Sequence, residues 1–64
     1  MCEATAYLAK NDGEEEVLLA DVDIIEPMEE GRIRLVSIYG EQKLFKGRIK
    51  SMSLVNHRVV LAQE

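Results

Sequence analysis

Cysteine, histidine, proline and the aromatics are all scarce in this 64-residue chain: one Cys, one His, one Pro, two Tyr, one Phe and no Trp. A single thiol forms no intrachain disulfide, so the chain is not a disulfide-stapled secreted scaffold. A lone cysteine fits a reducing, cytoplasmic setting. One cysteine and one histidine also rule out zinc-finger spacing. No phosphate-binding glycine loop is present, and Ser37, Ser51 and Ser53 have no recognisable base partner. The acid pairs that exist, Glu14-Glu15-Glu16 and Glu29-Glu30, flank turn signals and read as solvated surface. This inventory argues against an enzyme. No apolar run approaches the roughly 20 residues needed to span a bilayer, and no signal-peptide pattern opens the chain.

What is present is period-two alternation. Residues 2–9 place Cys2, Ala4, Ala6 and Leu8 on one face and Glu3, Thr5, Tyr7 and Ala9 on the other, which predicts a strand. Asp12-Gly13 supplies a hairpin turn into a second strand at 16–19. Residues 20–28 follow neither period cleanly and read as a short bent strand, with Pro27 restricting it to an edge or an end. A turn at 29–32 leads to a β-branched strand over 32–39, with Ile33, Leu35 and Tyr39 sharing a face. Phe45, Gly47 and Ile49 alternate against Lys46, Arg48 and Lys50, and Gly47 marks a bulge or bend. Asn56-His57 predicts a two-residue hairpin turn pairing Val55 with Arg58, Leu54 with Val59, Ser53 with Val60 and Met52 with Leu61.

Residues 1–64 therefore predict one all-β domain, a small, strongly bent, five- or six-stranded antiparallel barrel of SH3 or Sm type. Closure disposes of the two exposed edges an open sheet would carry. A domain of this size buries only about 60% of its unfolded surface and commonly needs a metal or a second subunit. The outward runs Val36/Ile38 and Val60/Ala62 leave apolar material unassigned, which favours a homodimer.

The net charge of −4 conceals a division. Residues 1–31 hold ten acids and one base, whereas residues 32–64 hold seven bases and two acids. Either the two halves neutralise each other across strands, or a basic face survives. If it survives, Arg32 and Arg34 with Lys46, Arg48 and Lys50 make the rival reading, an RNA-binding protein using strands 32–34 and 46–50. The acidic total and the lack of stacking aromatics count against nucleic acid. A protein–protein adaptor without other chemistry is the plainest alternative.

Cys2 is the residue with the most distinctive chemistry. A near-terminal cysteine is compatible with a small apolar role, but its thiolate is also a soft ligand with a backbone nitrogen in chelating reach. Mixed sulfur and nitrogen donors suit Ni(II) or Cu(II). One copy offers too few donors, whereas two Cys2 residues across a dimer axis offer a matched set. The small residue at position 2 permits removal of Met1, which would add a terminal amine. His57 is a second candidate ligand, although its hairpin position already accounts for it.

The opening Met1-Cys2, the stretch from Gly31 through Arg34-Leu35 to Tyr39-Gly40-Glu41, and the closing Gly47-Arg48-Ile49-Lys50 through Val55-Asn56-His57 resemble the CooT family. These are small accessory proteins of nickel-containing carbon monoxide dehydrogenase. The resemblance implies a cytoplasmic homodimer that binds Ni(II) through Cys2 of both subunits. It also implies a metallochaperone-like role, with the dehydrogenase or its maturation proteins as partners. Cys2 is the position that carries over. The chain has no His-rich stretch, so bulk nickel storage is not expected.

Overall fold

The computed structural model describes residues 3–63. Five strands form β1 (Ala4–Ala9), β2 (Glu15–Pro27), β3 (Arg32–Ser37), β4 (Gln42–Ser53) and β5 (Arg58–Gln63), with a 3-10 turn at Glu29–Gly31 between β2 and β3. Each strand pairs with its neighbour in sequence, and β1 pairs with β5 to close the ring. The expected all-β barrel is thus observed, with one amendment to its antiparallel description. Consecutive strands alternate in direction, so with an odd number the first and last run the same way. The closing pair, β1 with β5, is accordingly parallel, in register from Thr5↔Arg58 to Ala9↔Ala62.

Alternation fills the interior. Ala6, Leu19, Val22, Ile33, Leu35, Phe45, Val59 and Leu61 form the buried core, and Leu35 and Leu61 are fully enclosed. Ile33, Leu35 and Phe45 fall on the side expected of them. Tyr39 does not. β3 ends at Ser37, whose buried hydroxyl accepts hydrogen bonds from the amides of Tyr39 (3.2 Å) and Glu41 (3.1 Å). That oxygen organises a tight turn in place of two further strand residues, leaving Tyr39 78% exposed.

Bulges bend the two longest strands. The segment read as a strand at 16–19 plus a separate bent strand is one 13-residue strand, β2. Its pairing shifts register twice against β1 and once against β3. Asp21 has a φ of 55°, and its carbonyl accepts from the Ile38 amide at 2.8 Å. These extra residues broke the apparent period while the strand turned from one neighbour to the other. Pro27 ends β2, as its missing N–H requires.

β4 bends likewise, but the shift falls between Ile49 and Ser51, not at Gly47. Gly47 is glycine for a different reason. A Cβ there would overlap the Ala62 carbonyl oxygen and lie 2.6 Å from Cε2 of Phe45.

The last hairpin also differs from its expected register. Ser53, not Val55, pairs with Arg58, and Met52 pairs with Val59. A two-residue primed turn needs positive φ at both central residues for its type I′ form. Only His57 (φ 55°) adopts it here, and a four-residue loop over 54–57 results, closed by the His57 amide on the Leu54 carbonyl at 3.2 Å. Leu54 and Val55 are therefore at an exposed tip, not inside a strand. Conversely, Val60 and Ala62, expected to point outward and uncovered, are 7% and 9% exposed within the single chain. They do not supply the unassigned apolar surface.

Candidate functional site

Cys2, the predicted metal ligand, lies outside the described residues. The chain that leads from it enters the barrel at Ala4, and the surroundings of that entry are defined. The Thr5 amide donates to the His57 carbonyl at 2.9 Å, which ties the start of β1 to the 54–57 loop. A hollow of about 270 Å³ opens between them, lined by Ala4, Ser53, Leu54, His57, Arg58 and Val59. The sequence placed Cys2 and His57 at opposite ends of the chain, yet the fold brings His57 beside the strand that begins two residues after Cys2. The parallel β1–β5 pairing is responsible, since it sets the first residues of both strands side by side.

This end of the barrel is apolar on its rim. Met52, Leu54 and Val55 are large hydrophobics left exposed there, Val55 to 89%. Among the described residues no group of three or more His, Cys, Asp or Glu side chains is arranged to hold a metal.

The charge division resolves into both of its alternatives, in different places. Arg34 is spoken for: its Nε donates to Glu26 at 3.0 Å and its Nη1 to Gln42 at 2.9 Å. Arg32 is 3.9 Å from Glu30, and Lys43 donates to the Leu18 carbonyl at 2.9 Å. Arg58 pairs with Glu15 and lies 4.3 Å over the ring of Tyr7, fastening the closing seam from outside. Neutralisation thus takes up Arg34 in the expected basic stripe, while Arg32 has only an exposed pair with Glu30 and a 3.3 Å bond from its Nε to the Glu29 carbonyl. Lys46, Arg48 and Lys50 form no ion pair among the described residues. They face outward with no aromatic beside them: Phe45 is core, Tyr7 is under Arg58, and Tyr39 is in the β3–β4 turn. Sequence reasoning missed that Lys10, at the far end of β1, joins Arg48 and Lys50 around one open groove. Its only signal was the odd strand count, which brings the end of β1 to the end of β5.

The fold defines a class: a very small closed β-barrel, whose sequence carries its single cysteine two residues ahead of the first strand. The chain belongs to the CooT family, whose model, described as CO dehydrogenase accessory protein CooT, matches residues 1–62. A crystal structure assigned provisionally to CooT from Carboxydothermus hydrogenoformans is 43% identical, superposes with a TM-score of 0.89 and is matched over 98% of both chains. An uncharacterised protein of Methanothermobacter thermautotrophicus (strain Delta H) is 36% identical over 64 residues, spanning 100% of this chain and 92% of that one.

Proposed function

We propose that this protein is a homodimeric nickel-binding accessory protein of carbon monoxide dehydrogenase, in which Cys2 of both subunits ligates one Ni(II) ion as cargo. The observation that carries this reading is the family match, which begins at residue 1 and so includes Cys2. Donor chemistry supports it. A thiolate with adjacent backbone nitrogens suits Ni(II), and one chain provides too few such donors. The exposed Met52, Leu54 and Val55 at the end where β1 begins support a dimer there. Covering them with a second copy would draw two β1 starts, and with them two Cys2 residues, toward one axis. The β-barrel then acts as a rigid mount, and the delivered metal is passed to the dehydrogenase system in a cytoplasmic setting.

The test is a Ni(II) titration of reduced protein, wild type beside Cys2→Ser, followed by absorption spectroscopy and calorimetry. One nickel per two chains is expected, with a thiolate-to-metal band that is lost in the variant. Nickel uptake of equal affinity in Cys2→Ser would remove the proposal. Since thiols must ionise to coordinate, binding should release protons and weaken as pH is lowered.

A further inference from the structure

We infer that the outer surface where β1, β5 and β4 run side by side is a docking groove for a short acidic segment of a partner protein. The groove has a volume of about 490 Å³, and Ala9, Lys10, Asn11, Arg48, Lys50 and Ala62 are among its lining residues. Its form follows from register. Ala9 pairs with Ala62, and Ala62 with Arg48, so two methyl groups make a low floor across β1 and β5. Arg48 and Lys50 rise on one side of that floor and Lys10 at the end of the other. The bulge between Ile49 and Ser51 re-aims the strand beside Lys50.

Three features select the occupant. The cations are available: Arg48 and Lys50 form no ion pair among the described residues. Lys10 is only 3.9 Å from Glu16 in a pair half open to solvent, a contact weak enough to exchange. The floor runs along β5, which lies between β1 and β4 and has its backbone committed to ladders on both sides. A compact phosphate site usually gathers free backbone N–H groups, which this floor lacks. An extended acidic peptide instead needs a shallow, mainly polar bed with flanking cations for alternate side chains, which this groove has. Nucleic acid is disfavoured because no aromatic lines the groove for stacking. A polynucleotide would also run beyond it over a protein of net charge −4, whereas a short acidic run feels mainly the field within about 8 Å.

The groove is at the opposite end of β1 from Ala4, about 17 Å away along the strand. Peptide docking there does not compete with events at the chain's first residues, and the inference stands independently of the metal reading.

The experiment uses metal-free full-length protein and three probes: a short fluorescein-labelled poly-glutamate peptide, an RNA oligonucleotide of similar length, and inorganic pyrophosphate. Fluorescence anisotropy gives affinity at low ionic strength, and nitrogen-15 amide shifts give location. The peptide is expected to bind saturably, with shifts confined to the groove residues. Arg48→Gln combined with Lys50→Gln should weaken it by about tenfold, with unchanged circular dichroism. Lys43→Gln, elsewhere on β4, should leave it within about twofold. Cys2→Ser should bind the peptide like wild type, so failure of the nickel proposal would not touch this one. Tighter binding of RNA or pyrophosphate, equal weakening by Lys43→Gln, or absence of saturable peptide binding would each overturn the inference.

Discussion

Single residues carry two sharply different kinds of constraint in this barrel. Gly47 is constrained by space. Its missing side chain admits the Ala62 carbonyl and the Phe45 ring edge, so even a methyl group forces backbone apart. Gly47→Ala should cost about 1–3 kcal/mol, the usual range for overpacking. In a domain this small that lowers the midpoint of thermal unfolding by at least about 4 °C. A melt superimposable on wild type would mean that β4 and β5 separate here without penalty. His57 is constrained by conformation, with its φ of 55° closing the 54–57 loop. Asn visits that region readily, whereas a β-branched residue does not. His57→Asn is therefore expected to keep both stability and nickel affinity, and His57→Val to lose about 1–2 kcal/mol of stability. Calorimetry of the two variants with and without Ni(II) separates a turn residue from a ligand. A large loss of nickel affinity in His57→Asn alone would make the imidazole a ligand.

At the scale of elements, pattern was legible wherever strands stayed regular and misleading wherever they bent. Alternation at Ile33, Leu35 and Phe45 identified the core side, because one face of each strand is buried and period two records it. The order of the strands followed from turn residues, Asp12-Gly13, Glu29–Gly31 and Gly40, but their number stayed at five or six because β2 read as two strands. Register did not follow. A bulge inserts one residue without any compositional mark, so residues 20–28 looked aperiodic although 20–27 belong to a single strand. The 54–57 loop was read two residues too short, since the side chains alone do not say whether Asn56 or only His57 turns left-handed. Cys2 as a chemical candidate was legible from uniqueness, but the residues around the start of β1 were not, because they arrive by the parallel closure of β1 on β5. The bulge around Asp21 gives this scale its own prediction. Asp21→Asn should be nearly neutral. Asp21→Val, a β-branched residue at φ of 55°, should destabilise by about 1–2 kcal/mol and speed hydrogen exchange of the Ile38 amide, which is bonded to the Asp21 carbonyl. Equal protection at Ile38 in both variants would show that the bulge tolerates any side chain.

For the whole molecule, the two ends of the barrel differ in surface character, and that difference bears on where two chains would join. The end where β1 starts is apolar, with Leu54 and Val55 at 76% and 89% exposure around the entry of the chain that bears Cys2. The end where β1 finishes holds a cationic groove, with Lys10, Arg48 and Lys50, beside the acidic turn of Asp12, Glu14, Glu15 and Glu16. If two chains join through the apolar end, Leu54→Asp with Val55→Asp should separate them. Neither residue belongs to the core, so the variant should keep its β-sheet spectrum and sediment as a monomer. Each separated chain then offers one thiolate where the paired site needs two. Nickel affinity should fall by more than the roughly 10–100-fold that loss of an outer-shell partner costs. Wild-type affinity should in turn decline on dilution below the dimer dissociation constant, a dependence the monomeric variant lacks. Sedimentation velocity and nickel titration on the same samples decide the matter. A variant that stays dimeric and binds nickel like wild type would move the interface away from this loop. A monomer of undiminished affinity would show that one Cys2 is sufficient and that pairing serves some other end.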